Sequence, residues 1–259
     1  MQVTIIGAGN VGTVLGRELL LHGHRIAEIW SRNPEHAQRL ADELHSSTVK
    51  EISELSAASE LYLITVTDDA LPSVTAQLSV KDKLVVHTAG SVSKKILASS
   101  STQYGVLWPV KMIRKTMLGL GTVTTVVDGN SSSTIKILQE LAAGFSTTVS
   151  VADDAARLKL HMLASVTSNF TNHLYHLAAM YCEREGIDFS VLYPIIEDTA
   201  ERLRSAHPAA TQAGPAFRGD EATITRHLQL LQEHPQLAHL YAEISRSIAE
   251  LSTRGPVSE

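Results

Sequence analysis

The stretch Gly7-Ala8-Gly9-Asn10-Val11-Gly12 constrains this chain more than any other. It follows the apolar run Val3-Thr4-Ile5-Ile6 and opens a helical pattern carrying Val14, Leu15, Leu19 and Leu20. A GxGxxG spacing alone says little; a strand before it and a helix after it give it physical content. The first glycine allows a tight turn, the second lets backbone approach a pyrophosphate, and the third lets helix pack close to strand. A pyrophosphate held there would meet the positive end of the helix dipole and its free backbone N–H groups. Gly7, Ala8, Gly9, Asn10, Val11 and Gly12 are therefore candidate dinucleotide-binding residues. The plain alternative is a glycine-rich turn in an ordinary α/β domain.

The run Arg25–Trp30 reads as the second strand, ending at Ser31-Arg32-Asn33. An NAD-preferring site places Asp or Glu at this tip, about twenty residues after the turn, to bind the ribose 2′-hydroxyl. Here the tip carries Ser31 and Arg32. A hydroxyl and a forked guanidinium suit a 2′-phosphate, which a carboxylate would repel. Glu28 is the competing acid, but it lies inside the strand, short of the tip. The expectation is NADP(H) rather than NAD(H), with Arg32 solvating a loop as the bland alternative.

Composition narrows the class. The chain has 259 residues, 44% of them hydrophobic, and a net charge of -5. This length can bury a sizeable core as one large domain or two modest ones. The acidic balance and pI near 6.2 argue against nucleic-acid binding. Cys182 is the single cysteine, which excludes intramolecular disulfides and Cys-based zinc sites. With a first strand starting at Gln2, no signal peptide is expected. The best apolar segment, around 158–181, contains Lys159, histidines and asparagines, so no membrane span is expected either. A cytoplasmic protein is the simplest expectation.

The first half alternates strands with helices. Asn33-Pro34 is a good helix start, with Asn as cap and Pro in the first turn. Later strands are expected at 61–66, 84–87, 105–107, 122–127 and 147–151, with a helix from Ser131 to about Ala143 capped by Asn130. Such alternation implies α/β architecture, a doubly wound parallel sheet of Rossmann type over residues 1–151. After Val151 no strand-like run appears. Asp153 can cap a helix running to about Glu185, where Gly186 can end it. That helix would hold about 33 residues and extend roughly 50 Å. Further helices are expected near 188–205, 221–232 and 236–252, giving an all-α domain over 152–259. The long helix is apolar around much of its circumference, which predicts a homodimer packed through the α domain. A monomer in which later helices wrap it is the alternative.

In doubly wound sheets the ligand lies across the carboxyl ends of the strands. Those ends carry Thr65-Val66-Thr67-Asp68 and His87-Thr88-Ala89-Gly90-Ser91, making Val66, Thr67, Thr88 and Gly90 candidate cofactor contacts. Trp108, after the next strand, is a candidate substrate contact. His87 could donate a proton, although a His ending a strand is more often a local cap. On the long helix His161, Ser165, Asn169 and His173 recur at i+4 spacing, which places them along one side. Asn169, His173 and His161 are the candidate catalytic groups if this stripe lines a cleft; a solvated or interfacial face is the alternative. His173 and His176 lack a third ligand with telling spacing, so no metal is expected. Gly214-Pro215-Ala216-Phe217-Arg218-Gly219-Asp220 forms a shaped loop in which Arg218 suits a carboxylate or phosphate. Asp220 is a candidate substrate contact, although helix capping alone would explain it.

The Gly7–Gly12 turn with Ser31-Arg32 resembles the NADP-binding domain of pyrroline-5-carboxylate reductases and coenzyme F420-dependent NADP oxidoreductases. The whole chain resembles the Rossmann-like proteins with a DUF2520 domain. The motifs are His87-Thr88-Ala89-Gly90-Ser91, Leu160-His161, Ser168–Tyr175, and Gly214–Asp220 leading to Thr225-Arg226-His227-Leu228. The resemblance implies an NADP-dependent oxidoreductase, dimeric, with a helical C-terminal domain like that of 6-phosphogluconate dehydrogenase. It implies no particular substrate. Two departures stand out. Lys159 is followed by Met162 and Leu163 where the β-hydroxyacid dehydrogenases carry paired Asn, so Lys159 is not carried over as an acid. Trp108-Pro109 stands where the DUF2520 group more often has His-Pro.

The expected activity is hydride transfer between nicotinamide and a small polar carbonyl or imine. Asn169 would bind the substrate carbonyl or imine, His173 or His161 would donate the proton, and Arg218 would hold an acidic group. The alternative is a non-catalytic NADP(H)-binding sensor or assembly protein.

Overall fold

The computed structural model describes residues 1–252. By contacts the chain divides into two compact units, Met1–Val166 and Thr167–Glu259. In the first, strands β1 (Gln2–Ile6), β2 (Arg25–Trp30), β3 (Ser47–Thr48), β4 (Leu61–Ile64), β5 (Leu84–His87), β6 (Gln103–Pro109), β7 (Thr124–Gly129) and β8 (Thr148–Val151) form one sheet. Their order is β3-β2-β1-β4-β5-β6-β7-β8. Helices α1 (Asn10–Leu21), α2 (Pro34–Leu44), α3 (Leu71–Gln77), α4 (Ser132–Ala143) and α5 (Asp154–Ala164) accompany it.

Alternate residues of the central strands feed separate cores, as the twofold period of a buried strand requires. Ile5, Leu63, Val86, Leu107 and Val127 pack with α1, α2 and α4. Ile6, Ile64 and Val85 pack with Leu71 and Val74 of α3. The mostly parallel sheet expected from the sequence is present, with one exception. Strands β6 and β7 run antiparallel. No helix joins them, only the irregular segment 110–123, and without a crossover the second strand simply returns beside the first.

Local signals mostly hold. Asn33 caps α2 by accepting from the Glu35 N–H at 2.9 Å, and Asp153 caps α5 through the Ala156 N–H at 2.8 Å. For α4 the cap is Ser131, not Asn130: the Ser131 hydroxyl accepts from the Thr134 N–H at 3.1 Å. Asn130 is instead occupied by the Tyr104 N–H at 3.1 Å.

The expected long helix is interrupted. Residues Ser165–Phe170 are wound as a π turn between α5 and α6 (Thr171–Glu185). The i+4 spacing of His161, Ser165, Asn169 and His173 assumes ordinary α turns, so it does not by itself align the four groups. Gly186 ends α6 in the left-handed conformation, φ 69°. The second unit continues with α7 (Tyr193–Arg202), α8 (Pro208–Thr211), α9 (Pro215–Arg218), α10 (Glu221–Leu230) and α11 (Pro235–Ser252). Among its described residues the buried apolar ones are Leu177, Cys182, Ala216 and Leu231, while Val191, Ile195, Leu203 and Leu230 are exposed. Among the described residues no helix is long and apolar enough to cross a membrane.

Candidate functional site

The glycine turn joins β1 to α1. Gly7 has φ +117°, a conformation that side chains rarely adopt. The turn is pinned from β4: the Thr65 hydroxyl donates to the Gly7 carbonyl at 2.7 Å, and the Gly7 N–H donates to the Trp30 carbonyl at 2.7 Å. A Cβ at Gly12 would lie 2.1 Å from the Gly7 oxygen and 2.5 Å from Thr65 Oγ1. Gly12 is thus required by the protein itself, for close approach of helix to turn. Gly9 is different. A Cβ there would meet nothing nearer than the Thr65 carbonyl oxygen at 3.9 Å. Its φ of -83° is ordinary, so nothing in the fold demands a glycine. The space is open at a helix start that has no side-chain cap, where the first N–H groups lack intrahelical partners. These features fit a dinucleotide pyrophosphate.

The tip of β2 fits NADP. Ser31 is half-buried and Arg32 exposed. Glu28, the competing acid, accepts from the Ser56 N–H at 2.9 Å, so its carboxylate is engaged elsewhere. Along the other tips, Val66 and Thr88 are half-buried and Thr67 is exposed. The Ser91 hydroxyl donates to the Asp68 carboxylate, tying the two tips together.

Three predicted site residues meet at the end of β5. A Cβ on Gly90 would lie 2.5 Å from the His161 ring and 2.7 Å from the Trp108 ring. The Trp108 and His161 ring centroids are 5.6 Å apart at 51°. Gly90 therefore contributes close packing: its missing side chain lets the His161 ring rest against the backbone of the strand tip. Trp108 is buried and His161 half-buried.

In the second unit, Asn169 and His173 are exposed, and the His173 and His176 ring centroids lie 6.5 Å apart. Arg218 is exposed at the end of α9. Asp220 caps α10, accepting from the Thr223 N–H at 3.0 Å. Hydrogen bonds from Thr223 hold its carboxyl below the usual range.

Sequence reasoning missed a buried ionic cluster beside this site. Arg157 is 1% exposed. It donates to Asp128 at 3.3 Å, to Asp154 at 2.7 Å and to the Val92 carbonyl at 2.5 Å. Lys94 also reaches Asp128, at 2.7 Å. Burial pushes the Asp154 carboxyl up, but hydrogen bonds from Ser93, Arg157 and the Lys94 N–H overcome it and hold the group at about 2. The one sequence signal was an Arg three residues after Asp154 in the first turn of a helix capped by Asp153, which alone reads as a surface pair.

His87 is wholly buried, and its Nδ1 accepts from the Ala89 N–H at 3.1 Å. It is a local cap in the core. Burial, aided by the Arg157 charge, lowers its pKa to about 4. The folded state therefore favours neutral imidazole. That contribution is complete above the unfolded value of about 6.5 and is lost as pH falls toward the folded value. Wild type should lose up to roughly 3 kcal/mol of unfolding free energy from this group between those limits. Denaturant melts of His87→Gln should show a flatter profile across that window; parallel profiles would contradict the assignment. Asp154 acts at lower pH, since its stabilisation is lost only as pH falls through about 2.

A glycine cradle at the tips of a doubly wound sheet, with an acid-free second tip, defines a dinucleotide-binding class of protein. Residues 2–91 match the family described as NADP oxidoreductase, coenzyme F420-dependent, and residues 123–248 match DUF2520, a domain of unknown function. A Bacteroides fragilis protein provisionally described as an NADP oxidoreductase is 32% identical, with 96% of this chain and 98% of that one covered and a TM-score of 0.88. The chain belongs to this NADP oxidoreductase family with a DUF2520 region. It shares its fold with an imine reductase from Myxococcus stipitatus solved with NADP+, at 16% identity, a TM-score of 0.68, and coverage of 98% of this chain and 95% of that one. It is also 26% identical over 162 residues to the glycerol-3-phosphate dehydrogenase [NAD(P)+] of Erwinia tasmaniensis, 58% of this chain and 44% of the relative. The chain spans less than half the length of the curated relatives it matches.

Proposed function

We propose that this chain is an NADP(H)-dependent oxidoreductase acting on a small polar carbonyl or imine. The observation that carries the reading is the open cradle at Gly9 combined with a β2 tip that carries Ser31 and Arg32 and whose in-strand acid, Glu28, is already engaged. The bound nicotinamide would supply hydride. The backbone N–H groups at the start of α1 hold the pyrophosphate, and Ser31 and Arg32 hold the 2′-phosphate. Val66, Thr67 and Thr88 border the ribose and nicotinamide. His161, braced by Trp108 and Gly90, donates the proton to the reduced oxygen or nitrogen. Asn169 and His173 bind the substrate carbonyl or imine, and Arg218 pairs with an acidic group on it. Asp220 serves its helix cap first, and a substrate contact from it is secondary. Support for an imine comes from the imine reductase that shares this fold.

Arg32→Ala should weaken NADPH binding by about 10- to 100-fold and leave NADH nearly unchanged. Equal losses for both cofactors would remove the 2′-phosphate role. NADPH oxidation across a panel of cyclic imines and keto acids tests the chemistry, with His161→Phe expected to bind NADPH normally and turn over at least 100-fold more slowly. Tight NADPH binding with no oxidation of any panel member would favour a sensor or assembly role. We further propose a homodimer through the helical unit, because so few of that unit's described apolar residues are buried. A monomeric mass in solution at micromolar concentration would overturn it.

A further inference from the structure

The segment 110–121 after β6 carries three cations, Lys111, Arg114 and Lys115, in a chain that is acidic overall. Lys111 is spent on the loop itself: its ammonium donates to the Leu120 carbonyl at 2.5 Å and the Thr122 carbonyl at 3.2 Å. The loop is then fastened along α1. The Asn10 side-chain oxygen accepts from the Lys115 N–H at 3.2 Å. Arg17 donates to the carbonyls of Lys115 and Met117, both at 2.7 Å. The buried Glu18 accepts the Leu120 N–H, and Ile113 and Met117 pack against the α1 core. Arg114 and Lys115 are exposed. Neither has a carboxylate within ion-pair distance among the described residues.

Asn10 is the residue directly after Gly9, so this fastening holds Lys115 beside the first turn of α1. That turn is the positive end of a helix dipole. Setting two uncompensated cations next to it is self-repelling unless an anion completes the arrangement. Among the described residues no free carboxylate relieves the cluster, while six hydrogen bonds and two apolar anchors keep the loop in place. We infer that Arg114 and Lys115 form a clamp on the pyrophosphate of the dinucleotide, supplied by the β6–β7 loop and distinct from the 2′-phosphate contacts at Ser31 and Arg32. The inference rests on the cofactor reading above.

A pyrophosphate is common to NADPH and NADH, whereas the 2′-phosphate belongs to NADPH alone. The double variant Arg114→Ala/Lys115→Ala should therefore weaken both cofactors by the same factor, about tenfold. The ratio of their affinities should stay at the wild-type value, and binding should lose part of its salt dependence. Titration calorimetry with NADPH and NADH at two salt concentrations reads this without any turnover. The apo variant should melt close to wild type, since it loses a repulsion and only the weak contact from Arg114 to the Met112 sulfur at 3.9 Å. Unchanged affinity for both cofactors would overturn the clamp, as would a loss confined to NADPH, which would move the cations to the 2′-phosphate. If wild type bound neither cofactor, the cofactor reading itself would fall, and the clamp with it.

Discussion

Replacing Arg157 by Met is expected to lower the stability of the first unit by about 3 kcal/mol. The guanidinium is 1% exposed and stands between Asp128, itself 4% exposed, and Asp154. Removing one partner of a buried ion pair costs more than the pair contributes, because the remaining charge stays out of water. Asp128 would keep Lys94 at 2.7 Å, which places the loss at the low end for buried pairs. The Val92 carbonyl would also lose its donor. Lys94→Met is the comparison: that ammonium is 18% exposed, and its removal leaves Arg157 on Asp128, so about 1 kcal/mol is expected. The measurement is the urea midpoint with the slope unchanged. Equal losses for the two variants would show that Arg157 does not anchor α5 as its geometry implies. A loss under 1 kcal/mol would make the cluster incidental to stability.

That cluster marks where sequence reasoning stops. Features set by neighbours in the chain were legible: the Gly7–Gly12 turn, the caps at Asn33 and Asp153, and the left-handed Gly186. Each is fixed by a few consecutive residues and their backbone requirements. The exchange of Asn130 for Ser131 as the α4 cap shows the limit of this logic, since both types can cap and Tyr104, from β6, decided between them. Contacts between distant residues were not legible. Arg157 meets Val92 across 65 positions and Asp128 across 29, and no local pattern records either. The β6–β7 pairing was hidden because a strand's apolar pattern carries no direction. The π turn was hidden because Ser165–Phe170 contains neither Gly nor Pro, so no local breaker marks it. Of the predicted site residues, Gly90, Trp108 and His161 are brought together by the fold. Their juxtaposition depends on the start of α5, which the unseen cluster holds.

Alanine at Gly9 and at Gly12 should fail in opposite ways, and the contrast tests the cradle more sharply than either variant alone. At Gly12 a Cβ would sit 2.1 Å from the Gly7 oxygen. The helix must back away or the turn must open, and neither yields like the end of a flexible side chain. A loss of roughly 2–4 kcal/mol is expected, with cofactor binding lost along with the turn. At Gly9 the nearest atom is 3.9 Å from the added methyl, and the backbone angles suit any residue. Alanine is a poorer helix cap than glycine, so a loss of roughly 0.5–1 kcal/mol is expected. The methyl group would nonetheless occupy space that the pyrophosphate needs, and NADPH affinity should fall by about 100-fold or more. Thermal melts without cofactor and calorimetric titration with NADPH separate the two effects. Should Gly9→Ala bind NADPH as wild type does, the open space would not be the pyrophosphate site. Should it unfold like Gly12→Ala, glycine would be serving the fold at both positions. Only stability kept with affinity lost matches a position where the missing side chain makes room for a ligand.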